Sequence, residues 1–234
     1  MDMIRILAVD DEPDLRSLLR ILLKNRGYEV LEAASGTEAV ELVRSEPRID
    51  LVIMDIMMPG LSGVEACAEI RKFSTVPMLF LTAKSETEDL VLGLNTGADD
   101  YITKPFVPAE VLARVRSQLR RYASLGALPQ EGANTLTVGT IVLDDTAKTV
   151  TVDGEPVSLT PIEYSILHLL MRNPGKVYST KALYEAVWQE EALGSEGAVA
   201  VHIRHLREKI EINPSAPRYL KVVWGQGYKL EGSR

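Results

Sequence analysis

The apolar run Leu51, Val52, Ile53 and Met54 closes on Asp55 and opens at once onto Ile56, Met57, Met58, Pro59 and Gly60. A short apolar run ended by turn residues predicts a buried strand, which leaves the carboxylate at the strand's C-terminal mouth. Open α/β sheets hold their sites there. A second apolar strand, Ile4 to Val9, ends in Asp10 and Asp11, so three carboxylates are expected at one sheet edge. Such a cluster repels itself unless a hard divalent cation such as Mg²⁺ takes its oxygens as ligands, with room left for waters and a phosphate.

Two later strand ends extend the constellation. Met78, Leu79, Phe80 and Leu81 deliver Thr82, and a short strand near Tyr101 and Ile102 delivers Lys104 ahead of Pro105. A hydroxyl and an ammonium would then face an acyl phosphate on Asp55, because a carboxylate can attack phosphorus and a fixed cation stabilises the equatorial oxygens. Each residue taken singly has an ordinary structural use. An Asp after a strand commonly forms a turn, a Thr commonly caps a helix, and a Lys is commonly solvated. Their order decides the matter: acid pair, single acid, Thr and Lys-Pro each fall at the end of a different predicted strand.

Between these strands, helical periodicity runs near Pro13 to Arg26, Gly36 to Ser45, Gly63 to Phe73, Glu86 to Thr96 and Pro108 to Arg121. The alternation predicts an α/β fold with a five-stranded, doubly wound parallel sheet. These residues resemble the CheY-like receiver domain of two-component response regulators over Ile4 to Tyr122. The resemblance implies that a sensor histidine kinase phosphorylates Asp55. It further implies that Asp11 and Asp55 bind Mg²⁺ directly, Asp10 through water and Met57 through its backbone carbonyl. Thr82 and Tyr101 become the switch pair, Lys104 the phosphoryl partner, and Lys104-Pro105 a cis bond.

At 234 residues the chain suits two domains, and 46% hydrophobic content suffices for their cores. The single cysteine, Cys67, argues against an intrachain disulfide and fits a reducing compartment. With no signal-peptide pattern and no membrane-length apolar run, a cytoplasmic protein is expected. Residues 1–122 are assigned to the receiver, 123–134 to a linker rich in small residues and breakers, and 135–234 to a second domain.

The second domain opens with predicted strands at Leu136 to Val142, Thr149 to Val152 and Pro156 to Leu159, with Asp153-Gly154 as a hairpin turn. Thr160, Pro161 and Glu163 form a capping-box signature for a helix to about Arg172. Ser179 caps a second helix to Trp188, a third spans about Ser195 to Ile212, and Arg218 to Leu230 reads as a closing hairpin. This is an α+β winged helix-turn-helix pattern. It resembles the output domain of the OmpR/PhoB family at Leu159-Thr160-Pro161-Ile162-Glu163, at His202-Ile203-Arg204-His205-Leu206-Arg207 and at Gly225-Gln226-Gly227-Tyr228. Val222-Val223-Trp224-Gly225 and Ala98 to Phe106 resemble VanR-like members.

On the third helix Val199, Ile203, Leu206 and Ile210 make a core stripe. Ala200, Val201, Arg204 and His205 are then expected on the exposed arc as base-edge candidates, with His202, Arg207 and Lys209 flanking them as phosphate contacts. Tyr228 in the wing joins the DNA-binding set. Lys and Arg against Asp and Glu number 15 to 21 in residues 1–133 and 11 to 12 in residues 134–234. With nets of −6 and −1, local placement must substitute for bulk positive charge. The family often carries Arg where Gly197 and Trp224 stand here, and Trp224 is expected to pack under the wing.

Dimerisation is expected through a face resembling the family's at Asp99, Asp100, Glu110, Arg114 and Arg121, with Leu90 in place of a basic partner for Glu110. The resemblance implies a non-enzymatic transcription regulator that dimerises on phosphorylation, binds direct-repeat operators in double-stranded DNA and meets RNA polymerase. Two alternatives stay open on the residues alone. One is an Asp-nucleophile phosphatase, which lacks an evident second acid. The other is a constitutive DNA-binding protein with the first domain as a scaffold.

Overall fold

The computed structural model describes residues 3–46, 48–83, 97–126, 135–189 and 197–232, with side chains given outside 121–126. The chain divides into two compact units, Met1–Tyr122 and Ala123–Arg234.

The first unit contains β1 (Arg5–Val9), α1 (Pro13–Lys24), β2 (Glu29–Ala33), α2 (Gly36–Ser45), β3 (Leu51–Asp55), α3 (Gly63–Arg71), β4 (Met78–Ala83), β5 (Asp100–Lys104) and α4 (Pro108–Gly126). The strands pair in parallel in the order β2-β1-β3-β4-β5. Parallel neighbours need crossovers, and the crossover helices cover both faces of the sheet. Ile6, Ala8, Leu51, Ile53, Leu79, Leu81 and Ile102 share one core with Leu19 and Leu23 of α1 and Val111, Val115 and Leu119 of α4. Side-chain alternation turns Leu7, Val9, Val52, Met54 and Phe80 the other way, where Ala39, Ala66, Cys67 and Ile70 are also buried. Burial pushes the Cys67 thiol up to about 11, so it serves as a small apolar group.

Strand order reverses between β1 and β3, and their register pairs Val9 with Met54. Asp10 and Asp55 therefore leave the sheet side by side at the switch point. The local chain geometry requires Gly63 here. Its amide donates to Ile56 O at 2.9 Å, and a Cβ would overlap the Asp55 carbonyl. Ser62 and Glu65 cap α3 reciprocally from that point.

The helix expected over Glu86 to Thr96 lies outside the described residues, as does Leu90. The helix expected to end at Arg121 continues to Gly126, into the stretch assigned to the linker; 127–134 lie outside the described residues.

The second unit opens with β6 (Thr135–Val138), β7 (Ile141–Asp144), β8 (Thr149–Val152) and β9 (Glu155–Pro156) in an antiparallel sheet. The single strand expected over 136–142 is a hairpin instead. Gly139, at φ +61, turns the chain where Tyr219 Oη contacts the Thr140 amide and hydroxyl at 3.2 and 2.9 Å. The Asp153-Gly154 turn forms with φ values of +52 and +87. The strand expected to reach Leu159 stops at Pro156, before the cap of the next helix.

Helices α5 (Pro161–Met171), α6 (Thr180–Trp188) and α7 (Gly197–Ile210) follow, then β10 (Leu220–Val223) and β11 (Gly227–Leu230). The Thr160–Glu163 capping box is present. Val199, Ile203, Leu206 and Ile210 are buried, as the helical period requires.

Candidate functional site

The three acids meet. Asp10, Asp11 and Asp55 each present a carboxylate oxygen within 4.8 Å of the others. Asp10 is fully buried, Asp55 nearly so, and Asp11 is exposed. Lys104 reaches across from the end of β5, its Nζ lying 3.0 Å from Asp10 Oδ2 and 3.0 Å from Asp55 Oδ2. Ninety-four residues separate Lys104 from Asp10, so the sheet alone brings them together.

Burial raises the Asp55 pKa above the usual carboxylate range, and proximity to Asp10 adds to this. The hydrogen bond and charge of Lys104, with the Met57 amide, pull the other way without winning. For Lys104 burial favours the neutral amine, but its bonds to Asp55 and Asp10 outweigh that and raise its pKa. The ammonium is thus held charged against a carboxylate that gives up its proton reluctantly.

The remaining site residues stand at the same sheet end. Thr82 is fully buried one position past Leu81, which pairs in register with Asp55. Tyr101, half-buried, pairs with Phe80 on the next strand. The Lys104-Pro105 bond is cis. Met57 is 57% exposed, its amide turned toward the Asp55 carboxylate. An all-oxygen donor set of three carboxylates suits a hard divalent cation. Asp55, facing an ammonium with a hydroxyl nearby, is equipped to act as a nucleophile toward phosphorus.

Residues of the assigned dimer face make ion pairs within their own unit. Asp99 is fully buried. Its Oδ2 accepts from the Arg71 guanidinium at 2.9 Å and from the Met78 amide at 2.9 Å. Asp100 is buried too, held by Arg114 Nη1 at 3.0 and 2.9 Å, and Arg114 Nε donates to Glu110 at 3.4 Å. These acids neutralise arginines of their own unit because a buried carboxylate must be paired. Arg121 belongs to α4, with its side chain outside the described residues.

In the second unit Ala200 and Arg204 are exposed on α7, Val201 is half-buried, and Arg204 pairs with Glu208 at 3.0 Å. His205, expected on the exposed arc, is buried, and so is His202, expected to flank it. Helix α7 packs against both α5 and α6, so its buried arc is wider than one stripe. The His202 ring lies 5.6 Å from that of Trp188, and His205 Nδ1 is 3.8 Å from Glu163 Oε1.

Two expected phosphate contacts are also engaged internally. Arg207 donates from Nε and Nη2 to Leu220 O at 3.0 and 2.8 Å, which joins α7 to β10. Lys209 Nζ is 2.6 Å from Glu163 Oε2. Tyr228 is half-buried and exchanges backbone hydrogen bonds with Tyr178 at 2.8 and 2.9 Å. Trp224 does not pack under the wing: it is 91% exposed between β10 and β11.

Glu211 was not foreseen. Its carboxylate accepts from the amides of Arg218, Tyr219 and Leu220 at 2.6 to 2.8 Å and fixes the start of β10. One signal was available, since an acid just past a helix C-terminus is unfavourable there unless it serves another partner.

Comparison with known proteins agrees with both units. Residues 6–116 match the response regulator receiver domain, and residues 154–230 match the C-terminal domain of transcriptional regulatory proteins. The regulatory protein VanR of Enterococcus faecium is 42% identical, covering 97% of this chain and 98% of its own. The DNA-binding response regulator MtrA of Mycolicibacterium smegmatis is 43% identical over 96% of each chain. The structure of DrrB, a Thermotoga maritima OmpR/PhoB homologue, shares 32% identity with a TM-score of 0.50, covering 99% of this chain and all of the other. No described helix is long and apolar enough to cross a membrane. A parallel-sheet receiver with an acidic pocket, joined to a C-terminal transcriptional-regulatory domain over the full length of its relatives, places the chain in the OmpR/PhoB family of two-component response regulators.

Proposed function

We propose that this protein acts in the cytoplasm, that Asp55 accepts a phosphoryl group from a sensor histidine kinase and that this modification controls DNA binding by the second unit. The supporting observation is the convergence of Asp10, Asp11, Asp55 and Lys104. An Asp55 oxygen attacks phosphorus, the bond from phosphorus to the donor's imidazole nitrogen breaks, and the imidazole leaves. Lys104 holds its charge beside the transferred group. Asp11 and Asp55, Asp10 through water and the Met57 carbonyl would hold Mg²⁺, which when bound offsets the charge on the phosphoryl oxygens. Thr82 and Tyr101 then register the acyl phosphate, and the first unit shifts toward a dimer. Two tethered second units bind direct repeats of duplex DNA more tightly than one and engage RNA polymerase there.

Treatment with a small phosphoryl donor and Mg²⁺, followed by intact mass and peptide mapping, tests this reading. One phosphoryl group on Asp55 is expected, suppressed by EDTA; modification elsewhere, or none, contradicts it. Because only ionised Asp55 attacks, and burial raises its pKa, uptake should fall with decreasing pH. In metal-free buffer the Asp55 carboxyl should titrate above an ordinary aspartate, and a midpoint at or below the ordinary value would contradict the role of burial.

Lys104→Ala is expected to lower stability in metal-free buffer by about 1–2 kcal/mol, the partly exposed ammonium being worth less than a fully buried partner. Added Mg²⁺ should restore much of it by replacing the lost positive charge. Urea titrations with and without the cation measure both effects.

A further inference from the structure

The two carboxylates of the acid pair are fixed in different ways. Asp10 is fully buried and held at several points: its amide donates to Ala33 O at 3.2 Å, its Oδ1 accepts from the Glu12 amide at 2.9 Å, and its Oδ2 lies 3.0 Å from Lys104 Nζ. Asp11 is exposed, so the aim of its carboxylate depends on the backbone that carries it. That backbone starts at the peptide joining Asp10 to Asp11, whose carbonyl accepts from Arg16 Nη1 at 2.6 Å. A cationic donor makes this bond stronger than one between neutral groups. Arg16 is half-buried in α1, and its own amide donates to Glu12 O at 3.1 Å. Glu32 of β2 steers the guanidinium, its Oε2 lying 3.9 Å from Arg16 Nε while its Oε1 takes Arg20 Nε at 3.0 Å. The chain leaving β1 is thus gripped on both sides, by β2 through the Asp10 amide and by α1 through the Asp10 carbonyl. Charge does not explain this placement, since a guanidinium so close to cation ligands opposes the binding of Mg²⁺.

We propose that Arg16 is a positioning residue for the cation site: by holding the Asp10 carbonyl it fixes the plane of the Asp10-Asp11 peptide, and with it the direction in which Asp11 presents its carboxylate toward Asp55 and Mg²⁺. This rests on the metal-assisted phosphoryl transfer proposed above. A peptide unit is planar, so anchoring its oxygen also sets the orientation of the amide at which Asp11 begins. Arg16 acts through Asp11 and supplies no ligand itself. Groups that orient a metal ligand in this way govern affinity because the ligand then loses little freedom when the ion arrives.

The test titrates the full chain with magnesium chloride alone and follows the nuclear magnetic resonance shifts of the Asp11 and Glu12 amides in wild type, Arg16→Met, Arg16→Gln and Arg16→Lys. Arg16→Met should bind Mg²⁺ about tenfold more weakly, the lower range for loss of a group that orients a metal ligand. Arg16→Lys keeps a cationic donor and should fall between Arg16→Met and wild type. Phosphoryl uptake from a small donor should need about tenfold more Mg²⁺ to reach its half-maximal rate in Arg16→Met, with a smaller change in the rate at saturating Mg²⁺. A merely structural role would lower the urea midpoint and leave the Mg²⁺ dissociation constant of the folded protein unchanged. A role through charge alone would tighten Mg²⁺ binding in Arg16→Met. Either result would overturn the proposal while leaving the metal site standing, whereas no Mg²⁺-dependent shift in wild type would overturn both. Should Arg16→Met not fold, the shorter, uncharged Arg16→Gln carries the same expectation and the same contradiction.

Discussion

Asp55→Asn should take up no phosphoryl group from a small donor and should unfold a few degrees above wild type. The first effect follows from removal of the nucleophilic oxygen. The second follows from the carboxylate's environment. Asp55 has a higher pKa folded than unfolded, so its contribution to stability is complete below the unfolded pKa and is lost as pH rises through the folded one. At neutral pH the ionised group therefore costs stability, and a neutral amide removes that cost. A gain of about 1 kcal/mol is expected, as for other sites where function is held against stability. Lys104 would keep Asp10 as partner. Phosphoryl uptake by the variant, or a lower melting temperature by differential scanning calorimetry, would contradict this description.

Arg71→Ala should lower the stability of the first unit by about 3–5 kcal/mol, the range for breaking a buried ion pair on one side. Arg71 donates to Gly97 O at 2.8 Å, Ser74 O at 3.3 Å, Val76 O at 2.6 Å and Asp99 Oδ2 at 2.9 Å. It secures the entries to β4 and β5, the strands that carry Thr82 and Lys104. Its removal leaves Asp99 a buried carboxylate supported by the Met78 amide without its arginine. Asp99→Asn in the Arg71→Ala background should recover part of the loss, because the amide carries no charge for the missing guanidinium to balance. Urea unfolding of the four members of the cycle measures the coupling. Additive losses would show that the pair does not act as a unit.

The position of these residues along the chain explains what could be read in advance. Asp10, Asp11, Asp55, Thr82 and Lys104 were legible because each closes a short apolar run. A parallel sheet gathers the ends of such runs at one edge. The Thr160–Glu163 box and the Asp153-Gly154 turn were legible because their chemistry is local. The internal pairing of Asp99 and Asp100 was not legible because their partners, Arg71 and Arg114, lie 28 and 14 residues away. Periodicity finds a buried stripe, but it does not count the neighbours a helix has. Packing of α7 on two helices widened that stripe to include His202 and His205. The break at Gly139 depends on the distant Tyr219 hydroxyl. Trp224 was expected under the wing on hydrophobicity alone, whereas a short hairpin anchored at its base leaves its tip in solvent.

The state of Asp55 should govern DNA binding by the second unit. The most direct test is the dissociation constant of the full chain for the duplex it selects from a random-sequence pool. Wild type and Asp55→Asn should be compared before and after treatment with a phosphoryl donor and Mg²⁺. Tightening of about tenfold or more in wild type alone is predicted, from the gain when two tethered units bind together. Unchanged affinity in wild type carrying a confirmed phosphoryl group on Asp55, or the same tightening in Asp55→Asn, would contradict it.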